Sequence, residues 1–179
     1  EYTFSRNHAI ALTRDSLPVE GTDERESAPG GFLLDVGGIV LSMGWAPTKG
    51  RVDQLLAMTV IPFSDQAYYE TPEEAPKEST LKPGSIQIWG VPTDEATNGT
   101  MSLSKAPPRL LTALCFEWGR AVRMQWCPVP LTVESRVGLL AVLCKDGKIR
   151  VIEVKQPPGR KQEGVFGKFL VIWSAAIAD

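Results

Sequence analysis

Hydrophobic residues occur in short runs of ten residues or fewer, separated by polar or Gly- and Pro-rich segments. Runs of this length, bounded by turn-forming residues, are typical of β-strands. One run, at 109–118, is long enough for a helix, but Pro-Pro and Gly flank it and we predict a strand there. Asp146-Gly147 between two apolar runs predicts a tight hairpin, because Gly tolerates a positive φ. The pattern predicts strands at 32–36, 39–45, 55–61, 85–91, 109–118, 121–127, 138–144, 148–154 and 167–174.

The apolar runs belong to an internal repeat. The string GGIVLSMGWAP (37–47) has a counterpart in GRAVRMQWCP (119–128), so that Trp45 and Pro47 each lie 81 residues before Trp126 and Pro128. RVDQLLAMTVI (51–61) matches RVGLLAVLC (136–144), and PGSIQIWGV (83–91) matches DGKIRVIEV (146–154). Three matched blocks in one order are the signature of a solenoid or a propeller. The positions that define the repeat are Gly37, Gly38, Trp45, Pro47, Gly84, Trp89, Trp118, Gly119, Trp126, Pro128, Asp146 and Gly147.

Each repeat predicts four antiparallel strands, and the inner strands are apolar on both faces. Such sheets are buried on both sides, and four-stranded sheets stacked around an axis form a β-propeller. We therefore expect an all-β, WD40-like propeller with about two to three blades visible, as part of a larger propeller. The expected units are 32–118, with a loop insertion at 62–84, and 119–174, both inside a domain spanning 32–179. Residues 1–31 are expected to be flexible or irregular.

The net charge, the cysteines and the lengths of the apolar runs limit the classes of binding partner to be expected. The chain has 179 residues and a net charge of −2, so nucleic-acid binding would require a local basic patch. Three cysteines without metal-ligand spacing indicate free thiols and no disulfide framework. No apolar run is long enough to predict a membrane span, and no signal peptide is predicted.

The ordered strings resemble a known family. GGIVLSMGWAP, GSIQIWGV, PRLLTALCFEWGRAVRMQWCP and RVGLLAVLCKDGKIRVIEV are similar to the WD-repeat propeller subunit of transcription factor IIIC, the general factor of RNA polymerase III. The resemblance covers about residues 30–154. It implies a nuclear scaffold that holds partner subunits together and contributes to promoter recognition. The Trp-Asp ending of a WD strand is replaced by Trp89-Gly90 in one repeat and by Ile152-Glu153 in the other.

Candidate chemistry is sparse. The single histidine, His8, lies in the polar N-terminal segment, and no nucleophile elbow, P-loop or dinucleotide-binding string is present. Glu73, Glu74 and Glu78 cluster in the insertion, where we favour a solvated loop over acid–base catalysis; an acidic contact for a basic partner is a further reading. We expect no enzyme activity, no cofactor, no metal, no small-molecule substrate and no membrane partner.

A basic loop is the candidate for contact with DNA. Lys155, Arg160, Lys161 and Lys168 surround Pro and Gly residues, and such a loop is suited to sequence-independent phosphate contacts. The competing reading is an ordinary solvated loop. Two functions follow: a non-enzymatic scaffold subunit of transcription factor IIIC, or a generic WD40-type adaptor in another intracellular complex. A third function, that of a propeller with enzymatic activity, is the least favoured.

Overall fold

The computed structural model describes residues 8–12, 31–47, 53–62, 83–95, 101–129, 136–155 and 170–176. Every regular element within these residues is a β-strand, which confirms the all-β prediction. The strands are β1 (His8–Leu12), β2 (Gly31–Asp35), β3 (Gly38–Trp45), β4 (Asp53–Pro62), β5 (Gly84–Glu95), β6 (Met101–Leu103), β7 (Arg109–Phe116), β8 (Ala121–Trp126), β9 (Arg136–Cys144), β10 (Lys148–Lys155) and β11 (Leu170–Ala176).

The strands form two principal antiparallel sheets. The first sheet has the order β3-β4-β5-β7, and β6 pairs with the extended C-terminal end of β5. The second sheet has the order β8-β9-β10-β11. Each sheet is thus a meander of four strands taken in chain order, as the repeat predicted, and β1 and β2 form a separate two-stranded ribbon.

The observed strands differ from the prediction in several places: β5 extends to Glu95 and β11 begins at Leu170, and the other differences concern β1, β2 and β6. Strand β1 lies in the segment expected to be irregular, and β2 pairs with β1 although it was assigned to the first unit. The three-residue β6 was not predicted either, because it is too short for an alternating pattern to identify. The run at 109–118 is a strand over Arg109–Phe116, as expected. The central part of the predicted insertion, residues 63–82, lies outside the described residues.

The repeat extends to the register of the strands. Trp45 pairs with Leu56 across β3 and β4, and Trp126 pairs with Leu140 across β8 and β9. The residue after each Trp then donates its amide to the matching Leu carbonyl: Ala46 N to Leu55 O, and Cys127 N to Leu139 O, both at 2.8 Å. Equivalent residues therefore make equivalent backbone hydrogen bonds in the two sheets.

Irregularities in the ladders recur at equivalent places as well. The β3–β4 ladder shifts register between Val40 and Ser42, and the β8–β9 ladder shifts between Ala121 and Arg123. The skipped residue is Leu41 in one sheet and Val122 in the other, and these residues are 81 positions apart. A bulge bends its strand and increases the local twist, so both sheets curl at the same point.

The main core lies between the two sheets. Alternate residues of each strand point to opposite faces, and the inner faces of both sheets contribute to this cluster. Leu140 and Ile152 of the second sheet are fully buried there, with Ile86 and Ile88 of the first. Trp126 ends β8 within this core, and its indole Nε1 donates to Gly44 O on β3 at 3.0 Å. The Met124 amide likewise donates to Ser42 Oγ, so the first strands of the two sheets lie side by side.

A second, smaller core covers the opposite face of the first sheet. Leu56, Met58 and Val60 of β4 pack there with Trp89 of β5 and with Val36, which follows β2. Because both of its faces are covered, the interior of the first sheet is apolar at nearly every position: all six residues from Leu55 to Val60 are buried.

Candidate functional site

In each sheet, a buried polar side chain on the third strand contacts the segment that leads into the first strand. In the first sheet the contact is made by Gln87, which is fully buried on β5. Its amide Nε2 donates to Val36 O at 2.9 Å, and its Oε1 accepts the indole N–H of Trp89 at 2.9 Å. Gly37 follows Val36 with a φ of 69°, a conformation that favours glycine. Gln87 thus fixes the entry to β3 with neutral hydrogen bonds.

In the second sheet the equivalent position is Arg150 on β10. Its guanidinium lies 4.3 Å from the centre of the Trp118 ring and forms two bonds to the Asp146 carboxylate, at 3.0 and 2.5 Å. Trp118 also stacks on Phe116, with ring centroids 4.9 Å apart. Gly119 follows Trp118 with a φ of 80°, just as Gly37 follows Val36. Gln87 therefore holds Val36, the residue before Gly37, through a neutral amide. Arg150 holds Trp118, the residue before Gly119, through a charged guanidinium.

Hydrogen bonding and burial shift the pKa values of two side chains in this cluster, in opposite directions. The hydrogen bond from Arg150 lowers the pKa of Asp146 below its ordinary value, against a smaller opposing effect of burial. Burial raises the pKa of the Cys144 thiol to about 11, so Cys144 is a neutral thiol at physiological pH. The group that remains charged in this cluster is the Arg150–Asp146 pair, and its charges cancel.

Close approach requires a glycine at the junction between the sheets. A Cβ at Gly84, the first residue of β5, would lie 2.2 Å from Gly119 O and 2.4 Å from the Phe116 ring. The predicted Asp146-Gly147 turn is also present: Gly147 has a φ of 74°, its amide donates to Cys144 O at 3.0 Å, and Asp146 Oδ1 accepts the Lys148 amide. Among the remaining repeat residues, Pro47 is half-buried after β3 and Pro128 is exposed after β8.

Strand β3 carries an exposed apolar strip, which we define as Ile39, Val40, Leu41, Met43 and Trp45. Met43 is 69% exposed and Trp45 is 56% exposed, whereas the equivalent Trp126 is only 7% exposed. Register places Val40, Met43 and Trp45 on the face that carries the smaller core. Exposed apolar side chains grouped on one face of a strand, as Val40, Met43 and Trp45 are, are typical of an interaction site. The repeat pattern alone had not distinguished the two Trp environments.

The predicted basic loop is represented in the structure by one residue. Lys155 is exposed at the end of β10, and Arg160, Lys161 and Lys168 lie outside the described residues. Outside this loop, six basic residues are exposed within the described residues: Lys105, Arg109, Arg123, Arg136, Lys145 and Lys148. Charge is also separated along the chain. Residues 119–179 contain ten Lys and Arg against five Asp and Glu, whereas residues 1–118 contain nine against sixteen.

Of the residues considered for catalysis, the structure describes His8. His8 lies in β1, and Glu73, Glu74 and Glu78 lie outside the described residues. Within the described ranges no three His, Cys, Asp or Glu side chains are placed so as to hold a metal ion, and Cys115, Cys127 and Cys144 are free thiols. Within the same ranges, no helix has the length and hydropathy needed to cross a membrane.

Comparison with known proteins gives one informative similarity. No protein-family model matches the chain. The transcription factor tau subunit sfc6 of Schizosaccharomyces pombe is 29% identical over 128 residues, which is 72% of this chain and 19% of that protein. The chain thus spans about a fifth of the length of the curated relative it matches. The chain is similar to part of a subunit of a transcription factor, and this supports the transcription-related expectation from the sequence.

Proposed function

We propose that this chain forms part of a propeller scaffold in a subunit of transcription factor IIIC, the general factor of RNA polymerase III. The observation that carries the proposal is the similarity to the transcription factor tau subunit, which extends over most of the chain. It agrees with the resemblance of the repeat strings to the propeller subunit of transcription factor IIIC.

The proposed architecture is that of two neighbouring blades. Two four-stranded meanders with equivalent registers and bulges pack face to face, and their first strands lie side by side. Adjacent blades of a WD40-like propeller have this relationship. The ribbon of β1 and β2 supplies part of the cover for the outer face of the first sheet through Val36 and Leu34.

The proposed role is subunit assembly in the nucleus, without catalysis. Rigid sheets with exposed strips and loops are suited to presenting binding surfaces. The β3 apolar strip is the surface we assign to a protein partner within the complex, because it is the largest set of exposed apolar side chains on one described strand. Promoter DNA is contacted mainly through partner subunits, with basic residues of this chain contributing.

Affinity purification of the tagged full-length protein from nuclear extract tests the assignment. We expect co-purification of the other subunits of the polymerase III factor, and cross-linking to tRNA genes. A variant with Met43→Ser and Trp45→Ser should lose partner subunits while keeping its fold, which circular dichroism checks. Val129→Ser, at a site 65% exposed in the connection after β8, is the control and should retain them.

A generic adaptor in another complex is the second candidate, since a propeller fold alone does not define function. Purification of an unrelated complex, with no polymerase III factor subunit, would replace the first proposal with this one. Localisation of a fluorescent fusion of the full-length protein outside the nucleus would also favour the generic adaptor.

A further inference from the structure

The ring of Trp126 lies between two glycines, one on each sheet. A Cβ added at Gly138, on the neighbouring strand β9, would lie 3.2 Å from Cε3 and 3.3 Å from Cζ3 of the indole. A Cβ added at Gly44 of the first sheet would lie 3.4 Å from Cδ1. Glycine within a strand permits this kind of close approach. Trp126 therefore lies close to its own sheet because position 138 has no side chain, and the first sheet covers it from outside.

The equivalent position of the first sheet has a side chain. The repeat aligns Gln54 on β4 with Gly138 on β9, each immediately before a Leu-Leu-Ala string. Trp45 pairs with Leu56, two residues beyond Gln54, just as Trp126 pairs two residues beyond Gly138. Because alternate residues of a strand share a face, Gln54 lies on the same face as Leu56 and diagonally opposite Trp45. In the first sheet, the space that the Trp126 ring uses is thus allotted to the Gln54 side chain.

The exposure of Trp45 follows this difference. Trp45 is 56% exposed, whereas Gln54 is half-buried in the interior of the sheet, where it pairs with Val91 of β5. An indole offers a large rigid apolar surface and an N–H donor, and Trp is among the residues that contribute most to protein interfaces. A ring held away from its own sheet retains more apolar area for a partner to bury.

We propose that Gln54 is a positioning residue for the β3 apolar strip. It fills the space beside Trp45 on β4, so that the indole stays available to the partner subunit. This inference rests on the proposed assignment of the strip to a partner within the complex. Gln54 acts through Trp45, and its amide is not required to touch the partner. A residue of the same length without the amide should therefore serve equally well, and glycine should not.

Fluorine NMR of the whole chain labelled with fluorotryptophan measures the exposure of the ring. Trp45→Phe identifies the Trp45 resonance, and the change in its chemical shift between H2O and D2O reports contact with solvent. In Gln54→Gly this change should fall to about half, because the ring can then pack onto β4. Gln54→Met is the matched control and should leave it unaltered. Unaltered resonances of Trp118 and Trp126 would show that the second sheet is intact, and circular dichroism verifies the fold of each variant.

Recovery of partner subunits by the tagged full-length protein from nuclear extract is the second measurement. Gln54→Gly should reduce the recovery of polymerase III factor subunits about tenfold, as loss of an interface anchor does, and Gln54→Met should preserve it. The readout is restricted to the subunits that the native protein recovers.

The proposal is overturned if Gln54→Gly leaves Trp45 as exposed as in the native chain, or if it protects Trp45 without reducing recovery. Equal losses of recovery in Gln54→Gly and Gln54→Met also overturn it, since they would indicate direct contact between the amide and the partner. Failure of the native protein to recover any factor subunit would instead contradict the proposed function. The two failures are distinguishable because the fluorine measurement requires no partner.

Discussion

Both sheets must hold the chain at the start of their first strand, and they use different polar groups to do so. In each, a buried polar side chain on the third strand holds the residue that precedes a glycine with positive φ. In the first sheet this is Gln87 bound to Val36 O, and in the second it is Arg150 against Trp118 and Asp146. The comparison shows that the repeat keeps a polar side chain at the same position with the same contact. Whether that side chain is neutral or charged depends on its surroundings. Gln87 is enclosed between two layers, where an unpaired charge would be very costly, so a neutral amide is suitable.

The two equivalent Trp residues show the same dependence on context. Trp126 is buried between the sheets and donates to Gly44 O, whereas Trp45 is mostly exposed in the β3 apolar strip. Trp126 of the second sheet packs against the first sheet, whereas the corresponding face of the first sheet is covered, among the residues the structure describes, by Leu34 of β2 and by Val36. This difference supports the proposal that a partner packs on β3.

Replacement of the two Trp residues gives the largest expected contrast. Trp126→Ala should lower the free energy of unfolding by about 4 kcal/mol, since it opens a cavity in the main core and leaves Gly44 O without its donor. Trp45→Ala should cost less than about 1 kcal/mol, because the ring is largely in solvent. Urea denaturation followed by circular dichroism measures both. Equal losses would show that the two rings are equally buried in solution.

The second largest loss of unfolding free energy is expected when the neutral contact made by Gln87 is removed. Gln87→Leu keeps the volume but leaves Val36 O and the Trp89 indole without partners, which should cost about 2–4 kcal/mol. Gln54→Leu on β4, where the side chain is only half-buried, is the matched control and should be nearly neutral. The same denaturation assay applies, and a loss no greater than that of the control would remove Gln87 from the comparison.

Removal of the charged contact should cost somewhat less. Arg150→Leu eliminates the contact with Trp118 and leaves Asp146 without its partner, but Asp146 is partly solvated and water replaces some of the bonds. We expect a loss of about 2 kcal/mol. Lys148→Leu, on the same strand but exposed, should change stability by less than about 0.5 kcal/mol. If Arg150→Leu proved more costly than Gln87→Leu, charge would dominate over burial in this pair.

The smallest expected effect is a pH dependence confined to the second sheet. The pKa of Asp146 is lower in the folded chain than in the unfolded chain, so its stabilisation is present above the unfolded pKa of about 4 and is lost as the pH falls through the folded pKa. Acidification below about pH 4 should therefore increase amide exchange in β9 and β10 more than in β4 and β5. In Asp146→Asn this difference should disappear. An equal response of both sheets would assign the acid sensitivity to other carboxylates.

The strands and their grouping were predictable because each rests on local signals. Apolar runs, turn residues and matched strings identify nine of the strands and the two four-stranded units, and the Asp146-Gly147 hairpin follows from the need for a positive φ. Strand β6 has three residues, too few to show a pattern, and β1 lies in a mixed polar segment that predicted no regular structure. The contact between Arg150 and Trp118 was not predictable, because these residues are far apart in sequence and meet only in the folded chain.

The sequence by itself determined that the chain is all-β, that it contains two related sheets, and which residues correspond between them, because these properties arise from short-range periodicity and repetition. Only the tertiary structure decided which of two equivalent residues is buried. Trp45 and Trp126 occupy the same position in the same pattern, and their different environments depend on what packs against each sheet. The same holds for the charges, since pairing of Asp146 and Glu153 across neighbouring positions decides which basic residues remain available.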